Sequence, residues 1–226
     1  MLPGILPGMN AVLAPPSKPA PLATRRYVNL VVLHCSATAS GRWLAGRRGE
    51  PGFREAGDVI DGWHAARHFR RTDAALARYN PNRPHIGYHF VVDIDGTIEA
   101  GRALLEVGAH VAGFNSASVG VCMVGGAERD ARYTAAQWAS TAELVRELCK
   151  HLAVPLLSPL YPRKGGGVCG HRDLSPDTDG DGRIRPHEWL KTCPGFDVAA
   201  WLSRGLVPLP EQVCVDQVPA RAGGRA

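Results

Sequence analysis

Three residues far apart in the chain are of the types that a zinc site uses. His34 ends an apolar run at residues 28–33, and a polar loop follows it. His171 has the same setting after a short run at 168–170. Cys193 lies in Lys191-Thr192-Cys193-Pro194. Functional groups collect where strands end and loops begin. Two neutral imidazoles and a thiolate suit Zn2+, and three protein ligands leave a fourth position for water. Spacing alone does not single these three out among nine histidines and six cysteines. Taken singly, either histidine reads as a hydrogen-bonded structural residue.

A second group of metal-binding types lies between two of these residues. Residues 177–188 match the twelve-residue calcium loop of EF-hands. Acids stand at its first, third and fifth places (Asp177, Asp179, Asp181). Gly182, the aliphatic Ile184 and Glu188 fill the sixth, eighth and twelfth. Three short carboxylates can fold back on one cation, Gly182 permits the sharp turn, Arg183 offers its backbone carbonyl, and Glu188 can close the site with both oxygens. The competing reading is a solvated Asp-Gly turn. With every position matching, calcium is the expectation. Only one such loop occurs, so the whole chain does not read as a calcium sensor.

These residues need elements to position them. Residues 28–33 are β-branched and apolar, a buried strand. Residues 36–57 are rich in Gly and Arg and read as a long loop. Asp58 is placed as the cap of a helix with Val59, Ile60 and Trp63 on one face. A short helix covers 73–79. Residues 88–94 form a strand, Asp95-Gly96 a hairpin turn and 97–100 the return strand. Residues 119–124 are another apolar strand. The longest helical pattern spans 134–152, with Thr134 as cap and Trp138, Leu144, Val145, Leu148 and Leu152 on one side. Residues 168–170 make a short strand, and Asp197 caps a last helix with Val198, Trp201 and Leu202. Strands interleaved with helices give the α/β class: a single domain with a mixed central β-sheet flanked by helices. Its expected bounds are 27–204, with 177–188 as an insertion. The Pro-rich residues 1–26 read as a disordered arm and 205–226 as a flexible tail.

Four segments, in order, resemble the zinc-dependent N-acetylmuramoyl-L-alanine amidase family, which includes phage amidase endolysins and animal peptidoglycan recognition proteins. They are VVLHCSAT (31–38), IGYHFVVDIDGTIEAGR (86–102), VGAHVAGFNSASVGVCMVGG (107–126) and GHRDLSP with KTCPGFDV (170–176, 191–198). The combination is highly specific. The resemblance implies that His34, His171 and Cys193 hold zinc at the floor of a surface groove. It implies that Tyr88 and Lys191 act in catalysis and that His110 and Asn115 line the substrate groove. The implied reaction is hydrolysis of the amide bond between N-acetylmuramic acid and L-alanine in peptidoglycan by zinc-activated water.

The residue types suit that reaction. Zinc lowers the pKa of a water toward ~7 and polarises a carbonyl. Lys191 as a fixed cation and the Tyr88 hydroxyl as a donor can stabilise the oxyanion; Tyr88 can instead assist proton transfer. The chain departs from the compact family pattern at 177–188, between the second histidine and the cysteine. Calcium, by ordering that loop, is expected to fix Lys191 and Cys193 relative to His171.

Composition narrows the alternatives. The chain has 226 residues and a formal charge of +5, which favours anionic partners without selecting one. Arg47, Arg48, Arg54, Arg67, Arg70 and Arg71 invite a nucleic-acid reading, but no nucleic-acid motif accompanies them. Peptidoglycan is the expected partner, with no nucleic acid, no membrane span and a monomeric chain. No apolar stretch reaches the ~18 to 20 residues of a membrane span, and residues 1–26 lack the charged start and unbroken apolar core of a signal peptide. The reading is a protein made in the bacterial cytoplasm that acts on the wall after release. A non-catalytic peptidoglycan binder on the same fold is the alternative. With no C-x-x-C pair, zinc ribbons are disfavoured. Cys122 and Cys149 read as buried small hydrophobes, Cys214 as a thiol in the tail, and Cys35 and Cys169 as thiols that their strands bring close.

Overall fold

The computed structural model describes residues 26–128, 131–159 and 165–214. Of the expected arm only Arg26 is among them, and the expected tail is described to Cys214; the remainder of both lies outside the described residues.

Five strands form one mixed sheet: β1 (Leu30–Cys35), β2 (Phe90–Val92), β3 (Ile98–Ala100), β4 (Ser118–Met123) and β5 (Gly167–Gly170), in the order β3-β2-β4-β1-β5. β1 runs parallel to β4 and β5, and β2 is parallel to β4. β3 returns antiparallel to β2. Every residue of β1 and β4 is buried. That is why these strands read as unbroken apolar runs: helices or loops cover both faces of a parallel sheet.

The helices are α1 (Ala56–Ala66), α2 (Asp73–Leu76), α3 (Ala135–Leu152) and α4 (Val198–Ser203). On one face, α3 and α4 bury Trp138, Leu144, Leu148 and Trp201 against Val31, Leu33, Val121 and Met123. On the other, α1 brings Ala56 and Ile60 onto Val91, Cys122 and Val124, and Val111 and Leu174 cover Leu30, Val32 and Cys169. The α/β class and the flanked mixed sheet are as the sequence predicts. Among the described residues no helix is long and apolar enough to cross a membrane.

α3 shows how local signals fix an element. Thr134 caps it through the Gln137 N–H, and the Gln137 side chain returns the bond in a capping box. Gln137 also donates to the carbonyls of Val92 and Val124, so one side chain ties the helix start to the ends of β2 and β4.

Three expectations need correction. Asp58 is not the cap of α1, which begins at Ala56. The Glu99 carboxylate, from β3, accepts the N–H groups of Ala56 and Gly57 at 3.0 and 2.7 Å, while Asp58 accepts from Arg83. Trp63 is 42% exposed; the four-residue spacing Ala56, Ile60, His64 is what turns inward. Third, the segment after 205 does not fray at once. Cys214 N–H bonds the Tyr133 carbonyl and Tyr133 N–H bonds the Gln212 carbonyl, so residues 210–214 pack beside the start of α3.

Candidate metal centre

The register of the parallel strands builds the site. Leu33 pairs with Gly170, so the residues that follow, His34 and His171, stand side by side at the carboxyl ends of β1 and β5. His34 still lies within β1, opposite Cys122. His171 starts a 3-10 turn, His171–Leu174. The two rings meet edge to face with centroids 4.8 Å apart.

Cys193 reaches the same point from beyond residues 177–188, and contacts outside that loop hold it there. Arg172 N–H donates to the Cys193 carbonyl at 2.9 Å. Cys35 N–H donates to Cys193 Sγ at 3.2 Å. The Tyr133 hydroxyl donates to the Pro194 carbonyl at 2.7 Å. Gly170 has to be glycine for this approach, because a Cβ there meets Pro194 Cδ at 2.6 Å. One donor atom from each of His34, His171 and Cys193 thus lies within 4.8 Å of the others, with His34 Nδ1 3.8 Å from Sγ.

Burial sets the protonation states. It holds His34 well below the usual imidazole value, with His110, His171 and Lys191 adding to the effect. Burial and then the Lys191 ammonium bring His171 to about 4. Both rings are therefore neutral at pH 7, the form that ligates metals. The Cys35 and Cys193 thiols hydrogen-bond each other, so the pair gives up its first proton more readily than a lone thiol and holds the second far more strongly. Two neutral imidazoles and one cysteine sulfur, which a bound metal would deprotonate, converge in a buried corner and fit a zinc ion, which prefers nitrogen and sulfur ligands in tetrahedral array.

The other predicted residues fall around this corner. The Tyr88 ring lies 5.2 Å from that of His34. Burial, then the Cys122 and Cys193 thiols, raise its hydroxyl well above the ordinary phenol value, so it stays protonated. Lys191 is exposed, and its charge is felt by both metal-type histidines. His110 Nδ1 is 2.9 Å from His34 Nε2. Asn115 Oδ1 accepts the backbone N–H groups of His110 and Val111, both at 2.9 Å, so this oxygen shapes the turn that carries His110.

Two neighbours escaped the sequence reading. His64 of α1 lies tilted against Tyr88, ring centroids 5.3 Å apart, and accepts the Gly87 N–H at 2.9 Å; its four-residue spacing from Ile60 is the available signal. Cys35 partners Cys193 instead of Cys169. Period-two alternation sends Cys35 and Cys169 to opposite faces of the sheet. All six cysteines are among the described residues, and none is in a disulfide.

The 177–188 loop does not form the expected calcium cage. Asp177, Asp179 and Asp181 do lie within 4.8 Å of one another. Glu188 has a carboxylate oxygen within 4.8 Å of Asp179 and His187, but both its oxygens are taken up by the loop's own groups. Oε1 accepts the Thr178 N–H and hydroxyl at 2.6 and 2.9 Å, and Oε2 accepts the Arg185 N–H at 2.8 Å. Arg185 bridges Asp179 and Asp181, and Asp177 accepts the N–H groups of Gly180 and Gly182. Arg183 donates its N–H to Asp181 at 2.9 Å. A loop that satisfies its own carboxylates gives calcium no support, and Cys193 is positioned without it.

Comparison with known proteins gives a consistent picture. The family model described as N-acetylmuramoyl-L-alanine amidase matches residues 24–196. An endolysin of Enterobacteria phage K11 is 30% identical over 185 residues, 80% of this chain and 89% of the relative. An uncharacterized protein of Haemophilus influenzae is 47% identical over 113 residues, 48% of this chain and 88% of the relative. The solved N-acetylmuramoyl-L-alanine amidase LysC of Clostridium intestinale shares the fold with a TM-score of 0.52 at 21% identity, covering 83% of this chain and 90% of that one.

Proposed function

The chain belongs to the N-acetylmuramoyl-L-alanine amidase family, and we propose that it hydrolyses the amide bond between N-acetylmuramic acid and L-alanine in peptidoglycan with a zinc ion held by His34, His171 and Cys193. The observation that carries this reading is the convergence of those three donors within 4.8 Å at the carboxyl ends of two adjacent strands. A zinc ion held there would supply Lewis acidity, lowering the pKa of a water toward ~7 and polarising the scissile carbonyl.

The chain's own residues supply the rest. Attack on an amide carbonyl puts negative charge on its oxygen. Tyr88, kept protonated by burial, donates a hydrogen bond to that oxygen, and Lys191 places a cation beside it. His34 and His171 remain neutral and do not compete as proton donors.

The test is digestion of purified peptidoglycan with and without a chelator, with the new termini identified by mass spectrometry. Amidase action yields a free amino group on L-alanine and an intact lactyl carboxyl on muramic acid, only when metal is present. Cleavage in the glycan, or cleavage indifferent to chelator, rules the proposal out. Tight binding without cleavage supports the non-catalytic alternative, against which the cysteine ligand Cys193 argues.

A further inference from the structure

His110 was expected along the substrate groove, but its contacts lead back to the metal corner. Its ring is clamped between two stretches of backbone. A Cβ on Gly108 would come within 2.4 Å of His110 Cδ2, and one on Gly120 within 2.7 Å of Cγ. Only glycine permits so close an approach, so the orientation of the ring is imposed by the fold.

The hydrogen bonds around this ring run in one direction. The Ser118 hydroxyl donates to the Phe114 carbonyl at 2.8 Å. A carbonyl cannot donate, so Ser118 Oγ is left with only lone pairs to offer His110 Nε2, at a long 3.5 Å. His110 Nε2 therefore carries the proton, and in a neutral ring Nδ1 is then the acceptor. That Nδ1 lies 2.9 Å from His34 Nε2, which must donate. The neutral His34 ring is left with a bare Nδ1, the nitrogen that faces Cys193 Sγ at 3.8 Å. His89, edge-on to His110 at 5.7 Å, cannot replace it. His89 Nδ1 accepts the Gly120 N–H and its Nε2 bonds the Glu106 carbonyl.

We propose that His110 is a positioning residue: it accepts the Nε2 proton of His34, in a chain anchored at the Phe114 carbonyl, and so keeps His34 Nδ1 bare and aimed at the metal corner. The proposal rests on the zinc reading above for its purpose, but the tautomer it assigns to His34 does not depend on metal. Partners that fix a ligand histidine in this way typically hold 10 to 100-fold in metal affinity.

Two measurements decide it. Long-range proton–nitrogen correlation spectra of the zinc-free, histidine-labelled full chain report the tautomer directly. The expected state of His34 is Nε2-protonated, and an Nδ1-protonated His34 overturns the proposal whatever the variants do. Zinc affinity, by competition with a chromophoric chelator, is then compared across variants. His110→Asn keeps an acceptor oxygen near the place of Nδ1 and is expected within about threefold of wild type, whereas His110→Leu loses ~10 to 100-fold. A folded His110→Leu that binds zinc as tightly as wild type, or an equal loss in Asn and Leu, overturns the proposal. If His110 served substrate alone, both variants would raise KM at unchanged zinc affinity. Wild-type protein that binds no zinc defeats the underlying zinc reading, while the tautomer spectrum still decides the role of His110.

Discussion

The strand-end corner and the 177–188 loop each bring three metal-type donors within 4.8 Å, by opposite means. At the corner the donors come from two rigid strands and a segment pinned to them by backbone hydrogen bonds. Burial keeps His34 and His171 neutral, so each ring has one lone pair to offer a metal. In the loop the donors are charged and mostly exposed. They find partners locally, in Arg185 and in the loop's own N–H groups. Preorganisation of the corner is provided by the sheet; what order the loop has, it provides for itself.

The largest effect should follow from removing a corner ligand. His34→Ala is expected to reduce bound zinc from about one per chain to a trace, with turnover at background, because two remaining ligands do not complete a zinc site. Elemental analysis beside a peptidoglycan assay checks both. Full zinc and full activity in this variant would place the metal elsewhere and dissolve the comparison.

Next come the residues proposed to act on substrate without holding metal. Tyr88→Phe and Lys191→Ala should each lower turnover by ~10²-fold or more, the scale of one lost oxyanion donor, at unchanged zinc content. If turnover is near normal in both, zinc and its water carry the mechanism alone.

Acid should separate the two regions further. Burial, with Arg67 and Arg102 adding to it, brings His64 to about 4, against ~6.5 in an unfolded chain. Between those values the unfolded chain binds a proton that the folded one refuses, so stability falls as pH drops below ~6.5. At pH 5 each such imidazole costs about 2 kcal/mol. Glu188 behaves in the opposite way. The N–H groups of Arg185 and Thr178 hold it at about 2, so what it contributes is fully present above the ordinary carboxylate value and is lost progressively as pH falls from there through 2. Calorimetry of the zinc-free protein should therefore show the melting temperature dropping by several degrees from pH 7 to pH 5. Amide-exchange protection in the loop should hold over the same range. A flat melting temperature would mean that the buried histidines titrate in the folded state.

The same contrast explains what was legible in the sequence. β1, β4 and α3 announce themselves through apolar runs and the Thr134 cap, because their neighbours are satisfied along the chain or by simple burial. The start of α1 was misplaced because its cap, Glu99, comes from a strand more than forty residues away. The three corner residues were legible by type and family resemblance, but their convergence depends on the pairing of Leu33 with Gly170, which no local pattern encodes. The contacts of His110 are not legible for the same reason: its clamp is made by Gly108 and Gly120, one of them on another element. The calcium expectation lacks support for a different reason. The motif gives the order of the acids but says nothing of Arg185 and Thr178, whose groups compete for those acids.

The loop should therefore yield the smallest effect. The Arg185–Asp179 pair is 3.5 Å long between side chains 47% and 41% exposed, and exposed pairs of this kind contribute ~0 to 1 kcal/mol. Asp179→Ala with Asp181→Ala removes this pair and the Arg185–Asp181 pair, and should lower the melting temperature by a few degrees at most, at unchanged zinc content and turnover. Calcium has little to gain here. To close the site, Glu188 would have to leave the N–H groups of Thr178 and Arg185, and Arg185 would have to leave two aspartates. Each exchange offsets part of the binding free energy, so millimolar calcium should move the melting temperature of the wild type no more than magnesium does. Cys193 gains nothing from it either, since Arg172, Cys35 and the Tyr133–Pro194 bond already hold that segment. A rise of several degrees specific to calcium, abolished in the double variant, would show that the loop exchanges its internal partners for a cation, and the contrast with the corner would then be one of occupancy instead of construction.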